Sequence, residues 1–435
     1  MKINRRQILG GTGLATLKGM ALADAGAASA QPASGSALAA QPNVEQRLIG
    51  LARQNLYPIT FAGGVASGPG WDFLVRNGRE AEFVLLGEEH GMVETPLLAR
   101  DLFLALRPAG FDTVAIEISP PIAQDLDSAA RGGVKGIAAF CAAYPPGPAF
   151  YFWKTEAEFI AAVRAAVPGN QDVLWGLDYE VTGDRRLIER LKAKAPPSAS
   201  AALDRLDKAS LAAGAAWRQT HNPAVLFTFS GDPTLVRAVR AAWPRPDADA
   251  EMVLATLEQT LAINALWPAK DWESNLLRAQ FNRKNLAAHL NRAAAGRKPR
   301  VLFKMGESHM MRGISWVGVF DVGSLVPEAA ALRGGKAFSF LVGGGRGGRH
   351  GVLNPTNMSV ADAPVDMFSE LGLQFLVDGL AGDDPVLVDM RPMRPVMSNL
   401  ARVKAFNNEI AIRTIFSFDA MLIWNGSTAT QMLNG

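Results

Sequence analysis

The chain has 435 residues, of which 49% are hydrophobic, a formal charge of +3 and a single cysteine, Cys141. That length and apolar share supply a large core, and one thiol excludes both an intramolecular disulfide and a cysteine-built zinc knuckle. Lys2, Arg5, Arg6 and Lys18 against Asp24 carry the whole excess charge, so the rest of the chain is formally neutral; no Lys/Arg run remains to track a phosphate backbone, and no nucleic-acid partner is expected.

The elements begin with a leader. Asn4-Arg5-Arg6-Gln7-Ile8-Leu9 sets a twin-arginine pair ahead of a moderately apolar stretch, Ile8 to Ala23, interrupted by Lys18. The stretch is too short and too polar to span a bilayer well. Ala28-Ser29-Ala30 is an A-x-A-type cleavage site. Residues 1–30 are therefore expected to be a twin-arginine signal peptide, with the export machinery as a partner and the periplasm or exterior as the destination. Such a signal exports folded protein, and no stable membrane span is expected in the mature chain. Residues 31–43, rich in Ala, Pro, Ser, Gly and Gln, read as a disordered linker. Residues 44–435 read as one domain.

Within that domain, 44–56 reads as a short helix. Glu82–Leu86 is a buried strand, closed by Gly87 and followed by Glu88, Glu89 and His90. A helix over Pro96–Leu106 follows, with Thr95 as its N-cap and Pro96 in its first turn. Asp112–Ile116 is a strand delivering Glu117, and a right-handed crossover between these two strands argues for a parallel sheet. Glu156–Ala166 is helical. Asp172–Leu177 is a strand delivering Asp178. Residues 183–220 and 249–295 are helical, the second stretch interrupted near Trp267-Pro268, and 196–270 reads as a helical insertion, a candidate lid. Arg300–Met305 is a strand delivering Glu307 and His309. Ala337–Val342, Pro385–Met390 and Ala420–Trp424 complete the sheet. The predicted class is α/β: a mostly parallel sheet flanked by helices, with a helical insertion. Gly343–Gly351 lacks the Walker and Rossmann patterns and reads as a flexible loop sooner than as an anion cradle.

Four strand ends thus each carry a carboxylate or histidine, and in open α/β sheets that edge is where ligands bind. Gly87-Glu88-Glu89-His90 is echoed by Gly306-Glu307-Ser308-His309. A histidine serves as general base near neutral pH, and carboxylates beside it fix its tautomer. Glu88, Glu89 and Glu117 are the candidates for that support. Two histidines with carboxylates also suit a divalent metal, the candidate ligands being His90, His309, Glu88 and Glu117; metal-free catalysis is the alternative. Arg278, in a predicted helix Asn275–His289, is a candidate clamp for an oxyanion. His289 reads as structural, His221 as a turn residue, and Cys141 as a small buried hydrophobe. No Gly-x-Ser-x-Gly elbow and no His-Glu-x-x-His helix is present, which argues against a serine hydrolase and a zincin.

These motifs in this order resemble the erythromycin esterase-type proteins and the related haem-uptake (ChaN) and Tiki-type superfamily. The resemblance rests on Gly87-Glu88-Glu89-His90, Glu117, Gly176-Leu177-Asp178, Arg278 with Asn285, His309 and Phe418-Asp419-Ala420-Met421-Leu422-Ile423. The first motif is one residue tighter than in the esterases, and Gly306 stands where they carry an extra histidine; both features resemble the Tiki and haem-uptake side. The resemblance implies an exported hydrolase with His90 as the base for water, Glu88 and Glu117 orienting or balancing it, and Arg278 and His309 on the oxyanion of an ester-like or amide-like carbonyl. Glu89, Asp178 and Glu307 would stand near the substrate, a small molecule or peptide, or behind the catalytic groups. The alternative it implies is a haem or metal binder without turnover, with Tyr179, His90 or His309 as axial ligands.

Overall fold

The computed structural model describes residues 43–433 apart from 64, 146, 170–172, 268, 294–297, 355–358 and 381. The leader with Arg5 and Arg6, most of the linker, Asp172 and Pro268 lie outside the described residues.

The fold is α/β, as the sequence pattern predicts. Its centre is an eight-stranded, mostly parallel sheet. The strands in chain order are β1 (Leu56–Pro58), β2 (Phe83–Glu88), β3 (Phe111–Ile116), β4 (Leu174–Gly176), β5 (Arg300–Gly306), β6 (Ala337–Gly344), β7 (Val386–Asp389) and β8 (Ala420–Trp424). They lie side by side as β1-β7-β8-β6-β2-β5-β3-β4. From β8 to β4 every neighbour is parallel; β7 runs antiparallel to β8, and β1 antiparallel to β7. Alternation along each strand feeds two cores. Val84, Leu86, Val114, Ile116 and Leu302 face one layer of helices, and Phe83, Leu85, Ala115, Phe303 and Met305 the other. With both faces covered, the central strands are largely apolar, as buried parallel strands are, with Lys304 the charged exception in the middle of β5.

Several boundaries differ from expectation. The helix after β2 is Glu94–Leu106, capped at Val93, so Thr95 lies inside its first turn. The stretch expected over 183–220 is two helices, Asp184–Lys192 and Pro197–Thr220, because two prolines at 196–197 break the ladder. The helices between β4 and β5 run from Asp184 to Ala293, and the last of them is Asp271–Ala293. His221 ends the Pro197–Thr220 helix in the left-handed region, φ 51°, and so is the turn residue expected. The glycine run is no free loop: Gly343 and Gly344 close β6, and a hairpin, Arg349–Asn354 with Ser359–Pro364, begins a few residues later. Cys141 is buried; burial pushes its thiol up to about 11, which removes the thiolate needed for a nucleophile. Among the described residues no helix is long and apolar enough to cross a membrane.

Candidate active site

β2 ends on Glu88, β3 leads to Glu117, β4 to Asp178, and β5 to Glu307 and His309. In the ladders Glu88 stands opposite Gly306 and Ile116 opposite Lys304. These strands are parallel, so all four ends arrive at one edge of the sheet.

Glu117 is the point on which the site converges. Its Oε2 lies 3.3 Å from His90 Nε2 and accepts the Gly306 amide at 2.6 Å. Its Oε1 accepts from Arg278 Nη2 at 2.8 Å and lies 3.4 Å from His309 Nε2. Glycine at 306 is what permits this: a Cβ there would stand 2.9 Å from His90 Nε2 and 3.3 Å from Glu117 Oε2. Arg278 projects from Asp271–Ala293 and is forked on Asp178, with Nε donating to Oδ1 at 2.9 Å and Nη2 donating to Oδ2. Its guanidinium lies 5.1 Å over the Tyr179 ring. Two turns further on, Asn285 donates to the Leu177 carbonyl at 2.8 Å and pins this helix to the strand end that carries Asp178.

Each imidazole has a carboxylate behind it. His90 Nδ1 lies 2.9 Å from Glu88 Oε1, and His309 Nδ1 lies 2.6 Å from Asp321 Oδ2. Asp321 is itself fixed, because its Oδ1 accepts the Val322 amide at 2.7 Å at the start of the helix Val322–Ala331. The free face of His90 is stacked on Phe150, ring centroids 4.1 Å apart. Phe150 holds φ at 65°, a conformation costly for an aromatic residue, and it is buried. These contacts leave His90 with one side toward a cleft.

Burial opposes the charge on His90, but Glu117 and then Glu88 outweigh it and hold the imidazole at about 10. His309 reaches about 10 as well: burial and Arg278 push it down, Glu117 and Asp321 push it up further. Burial raises Glu117, and the two imidazoles override it and hold the carboxyl well below its usual range. At rest the site is therefore two imidazoliums and a guanidinium around Glu117 and Asp178.

The cleft opens to solvent and is lined by His90, Glu117, Asn275, Arg278, Gly306, Glu307, Ser308, His309, Val317, Val319 and Asp321. The structure thus gathers His90, Glu117, Arg278, His309 and Glu307 on one cavity. Asp178 stands behind Arg278. Glu88 is not among the lining residues and binds Lys304 at 2.8 Å. Glu89 is turned away: it accepts the amides of Gly344 at 3.0 Å and Asp366 at 3.2 Å and lies 3.4 Å from His350. It ties the segments that flank the hairpin to the end of β2, and of the two places expected for it, near the substrate or behind the catalytic groups, these bonds favour the second. Glu307 accepts Trp316 Nε1 at 3.1 Å, and burial raises its carboxyl. His289 is structural, stacked on Trp175 at 4.9 Å and bonded to the Gly176 carbonyl at 3.1 Å. Asp419 is spent on Arg312 and Arg394.

Of the predicted metal set, His90 and His309 each bring Nε2 to Glu117, at 3.3 and 3.4 Å, and Glu88 holds the other nitrogen of His90. Among the described residues Glu117, Asp178 and His309 offer ligand atoms within 4.8 Å of one another, but Arg278 already neutralises both carboxylates. A divalent ion at this point would displace that guanidinium from Glu117 and Asp178. An axial haem ligand meets the same obstacle, since both Nε2 atoms are turned to Glu117 and Tyr179 lies beneath Arg278.

No family model matches the chain, and no curated protein matches its sequence. Solved structures do match. A Bacillus cereus protein superposes with a TM-score of 0.60, covering 90% of this chain and 100% of its own at 13% identity. A succinoglycan biosynthesis protein gives 0.56, with 89% and 99% covered at 14% identity. An erythromycin esterase mutant in its open conformation gives 0.53, with 82% and 94% covered at 14% identity. The fold resembles that of an erythromycin esterase. At such identities the likeness is one of fold, and chemistry has to be argued from the residues of the site.

Sequence reasoning missed Asp321, Phe150 and Lys304. Asp321 carried a readable signal, an N-cap acid before the helical run 322–331. Lys304 carried one too, a charge within an apolar strand. Phe150 carried none, because its stacking depends on a turn that brings residues 147–153 back over the sheet edge.

Proposed function

We propose that the protein hydrolyses an ester-like or amide-like carbonyl, with His90 moving the proton of the attacking water. One observation supports this most: two imidazoles, each backed by its own carboxylate, turn Nε2 toward a shared Glu117 beside an open cleft. In the reaction, neutral His90 takes a proton from water at Nε2 while the water oxygen bonds to the carbonyl carbon. The oxyanion that forms meets Arg278 and the Nε2–H of His309, donors that are held in place before charge develops. As the intermediate collapses, His90 returns the proton to the departing oxygen or nitrogen. Glu88 holds Nδ1–H throughout, which leaves Nε2 as the working nitrogen. No step requires a metal. The substrate is a small molecule or a peptide whose acyl group enters the cleft.

Export is part of the same proposal. It is supported by the Arg5-Arg6 pair, the interrupted apolar stretch, the Ala28-Ser29-Ala30 site and the formal neutrality of residues 31–435, and it places the activity in the periplasm or outside the cell.

The test is turnover of a panel of p-nitrophenyl esters, macrolides and peptides, with and without chelator. Hydrolysis of at least one class, insensitive to chelator, is expected. His90→Ala should lower its rate about 10³-fold; an unchanged rate would remove His90 from the mechanism.

A further inference from the structure

Beneath His90 the sheet carries a charge that packing alone does not call for. Lys304 stands in the β5 ladder between Leu86 of β2 and Ile116 of β3. It shares the face of the apolar Leu302, Leu86 and Ile116, and it is 1% exposed. A methionine would fill that position without electrostatic cost, whereas a buried ammonium costs several kcal/mol before it is paired. Here it is paired twice: Nζ donates to Glu88 Oε1 at 2.8 Å and to Glu156 Oε1 at 2.6 Å. Glu156 is also buried and comes from the helix Lys154–Ala166 packed on this face. The Glu88 oxygen bound by Lys304 is the same one that faces His90 Nδ1.

We propose that Lys304, with Glu156 as its counter-charge, is a positioning residue that fixes Glu88 and through it the orientation of the His90 ring. A carboxylate on a strand end with only an imidazole partner rotates about χ3; one clamped from below by an ammonium does not. The clamp also keeps Glu88 ionised. Burial raises that carboxyl, and Lys304 is the largest influence bringing it back down. A protonated Glu88 would have one acceptor oxygen fewer for Nδ1–H. The kinetic consequence rests on the hydrolase reading; the orientation of the ring does not.

Lys304→Met retains chain length and apolar bulk, and Lys304→Met/Glu156→Gln avoids leaving Glu156 unpaired should the single variant fold poorly. Imidazole proton–nitrogen spectra of the purified protein, with the His90 signals identified by their loss in His90→Ala, read the ring directly. In both variants the His90 Nδ1–H signal should broaden or vanish and its contacts to Phe150 should weaken by about half, while the His289 signals stay in place; Lys304→Arg should restore them. Under the hydrolase reading kcat also falls about 10- to 100-fold with KM little changed. A His90 spectrum unchanged in both variants, with only a lowered Tm, would overturn the proposal and leave Lys304 purely structural. Absence of turnover in the wild type together with the spectral change would instead reject the hydrolase reading and keep the positioning role.

Discussion

The two Gly-Glu-x-His segments read as repeats of each other, and the fold uses them differently. At the end of β2, Glu88 is still part of the strand, points down to Lys304 and takes the Nδ1 of its own segment's histidine. At the end of β5, Glu307 already belongs to a short helix, lines the cleft and accepts from Trp316. His309 finds its carboxylate twelve residues later, at Asp321. The third position differs as well: Glu89 leaves the site for the hairpin, while Ser308 lines the cleft. Identical short motifs therefore deliver one common product, an imidazole aimed at Glu117, through different support. A motif sets which residue types reach the sheet edge. The next element decides which way each one points.

Breaking the shared point of the two segments should have the largest effect. Glu117→Gln leaves Arg278 and two imidazoles without their common anion, so stability should fall by about 3–5 kcal/mol in urea titration, and both imidazoles should lose their elevated affinity for protons. A loss under about 1 kcal/mol would mean that the two histidines are not coupled through Glu117.

The pH profile sharpens the division of labour. His90 works deprotonated and is held at about 10, so its active fraction grows with pH. His309, also held at about 10, works protonated, and its neutral form bonded to Asp321 through Nδ1–H has no proton on Nε2. The rate should climb about tenfold per pH unit from neutrality, peak near the common value and fall above it. A profile flat between about pH 6 and 8 would contradict His90 as the base.

Next in size is His309→Ala. Losing one oxyanion donor should lower turnover about 10²-fold, less than His90→Ala; the reverse order would exchange the roles of the two segments. The smallest effect belongs to Glu89→Gln. Glu89 bonds two backbone amides in the hairpin connection, so stability should fall by about 1–3 kcal/mol while turnover stays within about twofold. A large kinetic loss would return Glu89 to the catalytic group.

The class of fold and most strands were legible because buried parallel strands are continuous apolar runs bounded by glycine or proline. The ends of Phe83–Glu88, Phe111–Ile116 and Ala420–Trp424 differ from the expected ones by two residues or fewer. The edge strand Leu56–Pro58 and the hairpin after β6 were not legible, because they are short, half exposed and weakly patterned. In the site, the identities of His90, Glu117 and His309 were legible because charged residues at the ends of apolar strands are conspicuous, whereas Arg278, on a helix, was marked by the motif order of the resemblance.

The amino-acid sequence by itself determined that acids and imidazoles would collect at one edge of a parallel sheet, since parallel strands all send their carboxyl ends the same way. Only the tertiary structure decided that Arg278 fills the place between Glu117 and Asp178, that Asp321 serves His309, that Phe150 covers His90, and that Lys304 clamps Glu88 from within the core. Those choices depend on helices and turns far apart in the chain closing over the sheet. Side-chain direction there is set by packing and by the need to pair every buried charge, a requirement that no local pattern encodes.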